Sequence, residues 1–161
     1  MATNLESQCF VDGPPIAAEV ARGVTRLFCR QDLFAVCEIP LPNGRRADLM
    51  AIDSKGEFTI VEIKVAKADL IGDGKWTDYL DYCDRFFWAV PANLASFLDE
   101  ERYLPREAGL IVADRYDAAV VREAARRPLA PARRKAELLR FARRSARRLA
   151  AQLDPSLGDL T

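Results

Sequence analysis

Histidine is absent from this chain of 161 residues. Its absence excludes Ser-His-Asp and Cys-His catalysis, metalloproteases of the HExxH type and Cys2His2 zinc fingers, because each of them needs an imidazole. Any catalysis by this chain must therefore use carboxylates, lysine, arginine, tyrosine or cysteine.

Long apolar runs are also absent, since no stretch approaches the ~18 apolar residues that a membrane span needs. The polar residues 1–6 have no signal-peptide character. We therefore expect a cytoplasmic protein without membrane contact. The cysteines are few, widely separated and without a CxxC pair, which predicts buried thiols in a reducing compartment. They are Cys9, Cys29, Cys37 and Cys83.

The formal net charge of zero conceals an uneven distribution of charge along the chain. Residues 115–150 contain twelve Arg or Lys and three acids, so this segment carries +9 and the rest carries −9. A basic segment of this kind favours an anionic partner. An arginine-rich helix whose charges only face solvent is the alternative.

Hydrophobic periodicity predicts a single domain over residues 1–161, with an α/β core over 14–113 and a basic helical segment over 118–153. Asn43-Gly44 between two apolar runs predicts a hairpin. The remaining patterns predict a helix over 14–29, strands over 33–39, 46–52, 58–65, 85–90 and 108–113, and short helices near 76–83 and 93–97.

The loop between the second and third predicted strands sets their register. If residues 54–56 form a three-residue loop with Gly56 in the left-handed conformation, Asp53 faces Glu57. Counting outward then places Asp48 opposite Glu62. Because strand side chains alternate between the two faces, Arg46, Asp48, Glu62 and Lys64 are expected on one face of the sheet.

Two adjacent carboxylates repel each other unless a cation lies between them, and their oxygen atoms suit Mg²⁺ or Mn²⁺. Lys64, two positions after Glu62, could stabilise the transition state of phosphodiester hydrolysis. A solvated strand edge with a cross-strand ion pair is the structural alternative. The metal-site interpretation is favoured because these charges interrupt strands that are otherwise apolar on both faces.

This order of helix, Asp48 strand, Glu62-Ile63-Lys64 strand, helix and strand resembles the PD-(D/E)xK restriction-endonuclease-like superfamily. The MmcB-like DNA repair family is the more specific resemblance, carried by residues 61–64, 68–70, 75–76, 78–79 and 82–90. The resemblance implies a three-layer fold with a mixed central sheet flanked by helices, followed here by a basic C-terminal helix. It also implies a DNA repair protein with Mg²⁺- or Mn²⁺-dependent endonuclease-like activity.

Carried over by position, the resemblance makes Asp48 and Glu62 metal ligands and Lys64 the catalytic lysine. Superfamily members often add a glutamate from the first helix, for which Glu19 is the candidate. Ala47 replaces the proline that gives the superfamily the first letter of its name. Members are frequently dimers, so a homodimer is a further expectation.

Several other residues are candidates for DNA contact. Lysines beside the predicted site can hold phosphates, and an aromatic side chain can stack on a base or belong to the core. The candidates are Lys67, Lys75, Trp76, Arg46, Arg140 and Arg144. Two alternatives to a nuclease stay open: a non-catalytic module that binds damaged or branched DNA or a repair partner, and an assembly protein that pairs through its C-terminal helix.

Overall fold

The computed structural model describes residues 15–71, 74–99 and 105–160. The chain forms two compact units, one ending at Pro128 and one beginning at Leu129. Within the described ranges, no helix is long and apolar enough to cross a membrane. The prediction of one domain over the whole chain stays a prediction.

The described residues of the first unit form three α-helices, six strands and two short 3₁₀ segments. The helices are α1 (Pro15–Arg30), α2 (Lys67–Ile71) and α3 (Ala92–Ala95). The 3₁₀ segments cover Trp76–Tyr82 and Ser96–Asp99. The strands are β1 (Phe34–Pro40), β2 (Arg46–Ile52), β3 (Phe58–Ile63), β4 (Arg85–Val90), β5 (Gly109–Ala113) and β6 (Ala118–Arg122).

The six strands form one mixed sheet in the order of the sequence. Strands β3, β4 and β5 are parallel to one another, and the other neighbouring pairs are antiparallel. The parallel strands are joined by helical connections, as parallel pairing requires. The predicted α/β class with a mixed sheet flanked by helices is confirmed.

Helix α1 packs on one face of this sheet. Its apolar residues, including Val20, Val24 and Phe28, form one core cluster with inward side chains of the central strands, including Leu49 and Val61. The helix repeat of about 3.6 residues places these α1 residues on a single stripe. The predicted alternation of β2 and β3 is therefore confirmed, with Leu49 and Val61 on the α1 face.

The loop between β2 and β3 has the predicted form. Gly56 adopts a φ of 77°, and the Asp53 N–H donates to the Glu57 carbonyl oxygen at 3.1 Å. Met50 pairs with Ile60, and Leu49 pairs with Val61. This register is the one that brings residues 48 and 62 to neighbouring positions.

The predicted helical segment over 118–153 is wrong in its first part. Residues 118–122 form β6, which pairs antiparallel with β5, and residues 123–130 contain neither helix nor strand. Pairing with the exposed edge of β5 outweighs the helix propensity of the alanines there. The helix of the second unit is α4 (Pro131–Leu153), followed by a 3₁₀ segment over Pro155–Leu160.

The expected set of four buried thiols is also wrong in part. Cys37 takes part in a disulfide bond. Cys29 is exposed and Cys83 is buried, and both are free. Cys9 lies outside the described residues.

Candidate functional site

The two predicted carboxyls meet where β2 and β3 stop pairing. The last paired residues at this end are Leu49 and Val61. Beyond them, the Ile63 N–H donates to Asp48 Oδ2 at 2.7 Å and the Asp48 N–H donates to Glu62 Oε1 at 3.2 Å. Each carboxyl thus accepts a main-chain hydrogen bond on the neighbouring strand, and the two acids are fixed side by side.

Burial gives this pair unusual electrostatics. Glu62 is 5% exposed. Burial, and then the neighbouring charge of Asp48, raise the pKa of Glu62 to about 8. Burial also raises the pKa of Asp48, and the nearby Glu38 acts in the same direction. An acid pair of this kind favours a shared proton or a bound cation over two uncompensated negative charges.

Glu38 extends this acidic region onto β1. It lies between residue pairs Cys37 with Leu49 and Ile39 with Ala47, which places it across from Asp48. Its φ of 52° is left-handed, which is rare for a residue other than glycine in a strand. Glu38 forms an ion pair with Arg46, so the Arg46 side chain lies toward β1. The charge of Arg46 lowers the pKa of Asp48.

Lys64 follows β3 directly and lies on the same side as the two acids. Its main-chain N–H donates to the Ala89 carbonyl oxygen at 2.9 Å, which continues the pairing between β3 and β4. Its Nζ lies 5.1 Å from the centroid of the Trp88 ring. Its positive charge lowers the pKa of both Asp48 and Glu62. The structure therefore brings Asp48, Glu62 and Lys64 together.

Tyr79 is a site residue that the sequence did not connect to the acid pair. It belongs to the 3₁₀ segment Trp76–Tyr82 and is 7% exposed. Its side chain hydrogen-bonds Glu62, and its hydroxyl lies 3.3 Å from the Arg46 carbonyl oxygen. The aromatic spacing of this segment indicated a helix, but it contained no signal for a contact with Glu62.

The other candidates of the first unit lie in different surroundings. Glu19 lies on α1, which packs on the opposite face of the sheet, and it pairs with Arg115. Lys67 Nζ lies 4.2 Å from the centroid of the Phe97 ring. Lys75 is exposed beside the 3₁₀ segment. Trp76 is partly buried, with its ring 5.6 Å from that of Phe86. Glu19 is thus not brought to Asp48 and Glu62.

The candidate arginines of the second unit lie on α4. Arg140 is half exposed and forms an ion pair with Glu137. Arg133 Nη1 also lies 3.9 Å from Glu137 Oε1. Arg144 is partly buried. Part of the positive charge of this helix is therefore compensated within the helix itself.

The donor set of Asp48 and Glu62 fits a hard divalent cation. Mg²⁺ is usually held by one or two carboxylates and completes its shell with water and phosphate oxygens. Each ionised carboxylate accepts about four hydrogen bonds or metal contacts, so the main-chain contacts leave acceptor capacity on both. No group of three or more Asp, Glu, Cys or His side chains able to hold a metal occurs among the described residues.

Comparisons with known proteins agree with this architecture. The model of the MmcB-like family, described as DNA repair protein MmcB-like, matches residues 11–156. A solved structure, the SPO1766 protein of unknown function from Silicibacter pomeroyi, is 43% identical with a TM-score of 0.80. The match covers 91% of this chain and 96% of that protein. No curated protein matches this chain. The chain belongs to the MmcB-like family of DNA repair proteins.

Proposed function

We propose that this protein is a Mg²⁺- or Mn²⁺-dependent, endonuclease-like hydrolase of DNA phosphodiesters that acts in DNA repair, and that it belongs to the PD-(D/E)xK superfamily. The observation that carries the proposal is the buried pair of Asp48 and Glu62, each held by a main-chain N–H of the neighbouring strand. Lys64 adds a positive charge beside them. The family name supports a role in DNA repair.

In this proposal Asp48 and Glu62 hold the cation. When bound, such an ion neutralises phosphate charge and lowers the pKa of a coordinated water. Lys64 supplies a positive charge where negative charge develops on the phosphate. Tyr79 orients Glu62 through its hydrogen bond, because a side chain that supports a metal ligand fixes its direction.

The acidic site by itself does not attract DNA, so basic side chains must do so. Lys67, Lys75 and the arginines of α4 supply positive charge that can contact phosphates. We propose that Lys67, Lys75, Trp76 and Arg46 of the first unit contact DNA, and that Arg140 and Arg144 of the second unit do so as well.

A nicking assay tests the proposal. Wild-type protein is incubated with nicked, branched and single-stranded DNA and with Mn²⁺, Mg²⁺ or EDTA. We expect cleavage with the metal ions, none with EDTA and none with Asp48→Asn, while circular dichroism shows that the variant remains folded. Cleavage that persists in Asp48→Asn at the wild-type rate would contradict the proposed site.

The second candidate is a nuclease-like module that binds damaged or branched DNA, or a repair partner, without cutting. It is favoured by the basic α4 and by the lack of a third acid in a metal-holding arrangement among the described residues. It predicts DNA binding that weakens with salt, and no cleavage with any metal ion in the assay above.

A further inference from the structure

Trp88 is a buried residue on the strand next to that of Glu62. It lies on β4 directly next to Glu62 of β3. Paired residues of parallel strands point to the same face, so the Trp88 side chain lies on the face of the two acids. The residue is only 3% exposed, yet its Nε1 has no hydrogen-bond acceptor among the described residues.

A buried N–H group without an acceptor is unusual. Most buried polar atoms in native proteins have a partner, and the indole nitrogen can only donate. A phenylalanine at this position would leave no buried N–H donor without an acceptor. The position therefore indicates an acceptor that does not belong to the described residues.

Packing fixes the ring in one orientation. Phe86 contacts it edge to face, with the ring centroids 5.1 Å apart and an interplanar angle of 89°. Tyr79 stacks on Phe86 at 5.7 Å. Lys64 Nζ lies 5.1 Å from the Trp88 centroid. The indole ring is thus held in place beside the proposed lysine.

We infer that Trp88 is a further binding residue of the site, whose indole N–H donates a hydrogen bond to a non-bridging oxygen of the bound DNA phosphate. This inference rests on the proposed function. A phosphate oxygen is a strong hydrogen-bond acceptor. The ammonium group of Lys64, which lies over the indole ring, attracts the same phosphate. Trp88 also positions Lys64 by holding its ammonium group against the ring.

Nuclear magnetic resonance of the tryptophan side chains tests this inference directly. The chain has only two tryptophans, so a ¹⁵N-labelled sample gives two indole signals, and Trp88→Phe assigns them. We expect the Trp88 indole proton to move downfield when a short single-stranded oligodeoxynucleotide is added with Mg²⁺. A matched oligonucleotide with neutral methylphosphonate linkages should leave the signal in place.

Kinetics of Trp88→Phe provide a second test, since phenylalanine keeps an aromatic ring beside Lys64 and removes only the N–H donor. Loss of one hydrogen bond to a charged group predicts a fall in kcat/KM of about 10- to 100-fold, with Mn²⁺ affinity unchanged. This inference alone would be overturned if the wild type nicks DNA but DNA does not shift the Trp88 indole signal. It would also be overturned if the wild type nicks DNA and Trp88→Phe has the same kcat/KM. A wild type that neither binds Mn²⁺ nor nicks DNA would overturn the proposed function, and this inference with it.

Discussion

The β2–β3 hairpin has an Asp opposite a Glu at each of its two ends. Asp53 and Glu57 lie at the closed end, beside the loop, and Asp48 and Glu62 lie at the open end. The surroundings of the two pairs differ. At the closed end, Asp53 Oδ1 accepts the N–H groups of Lys55 at 2.9 Å and Glu57 at 2.8 Å. Glu57 accepts a hydrogen bond from Arg126 Nε at 2.9 Å and lies 3.8 Å from Arg85 Nη1. Two arginines thus compensate the charge of Glu57, and Asp53 stabilises the turn through main-chain hydrogen bonds.

At the open end, the positive charges of Lys64 and Arg46 lower the pKa of Asp48 but do not offset the effect of burial. Burial raises the pKa of both acids, and the charge of Asp48 adds to this effect on Glu62, as the charge of Glu38 does on Asp48. The comparison teaches that residue type and register do not distinguish a structural acid pair from a functional one. What distinguishes them is whether the fold itself compensates the charge.

The largest effect on the rate of nicking is expected from Lys64 at the open end. Lys64→Met should lower the rate of nicking at saturating Mn²⁺ by about 100-fold, because it removes a positive charge from the developing phosphate charge. Lys55→Met, in the turn of the closed end, is the matched control and should cleave at the wild-type rate. Equal rates in the two variants would show that Lys64 has no catalytic role.

The next largest effect is expected on the free energy of unfolding of the metal-free protein. The Glu62 pKa of about 8 lies above the value of about 4.3 in an unfolded chain. Between these values the folded protein keeps a proton that the unfolded chain releases, so stability falls as pH rises toward 8. Glu62→Gln should therefore raise the free energy of unfolding at pH 8.5 by roughly 2–4 kcal/mol.

Urea denaturation between pH 5 and pH 9 in EDTA measures this effect. Glu57→Gln is the control from the closed end, and it should lower stability by about 1 kcal/mol because it loses charge-assisted hydrogen bonds. A Glu62→Gln variant that is no more stable than wild type at pH 8.5 would contradict the account of an uncompensated acid pair.

Metal binding should compete with protonation of the same pair. Below the pKa of Glu62, each unit of decreasing pH should weaken Mn²⁺ binding by up to about 10-fold, because a proton must leave before the ion binds. Calorimetry at pH 7 in two buffers of different ionisation enthalpy should detect proton release. No difference between the buffers would mean that the ion binds elsewhere.

The smallest effect is expected from α4. Replacing Arg140 and Arg144 together by glutamine should weaken DNA binding modestly. It should also reduce the slope of log affinity against log salt concentration by the equivalent of up to about two phosphate contacts. Fluorescence anisotropy at several salt concentrations measures the slope. The nicking rate at saturating DNA should stay unchanged, which separates affinity from chemistry.

Much of the acidic site followed from the sequence. Gly56 and the three-residue loop set the register of β2 and β3, and this register placed Asp48 beside Glu62. Alternation of side chains along the strands predicted that Asp48 and Glu62 share one face of the sheet. These are local rules, in which a few residues determine the conformation of their own segment.

The remainder depended on contacts between distant segments. Glu38 has a left-handed φ and forms an ion pair with Arg46, and no local sequence pattern predicts either feature. Tyr79 reaches Glu62 from a separate 3₁₀ segment. Residues 118–122 form a strand only because the edge of β5 is available. Tertiary pairing decided each of these positions.

Titration calorimetry with Mn²⁺ at pH 8 on wild type, Glu62→Gln and Glu57→Gln tests the central claim most directly. Wild type and Glu57→Gln should bind the ion with similar affinity, and Glu62→Gln should bind it at least about 100-fold more weakly, since loss of even a supporting residue costs 10- to 100-fold. Equal binding by all three proteins, or binding by none, would contradict the account of Asp48 and Glu62 as a metal site.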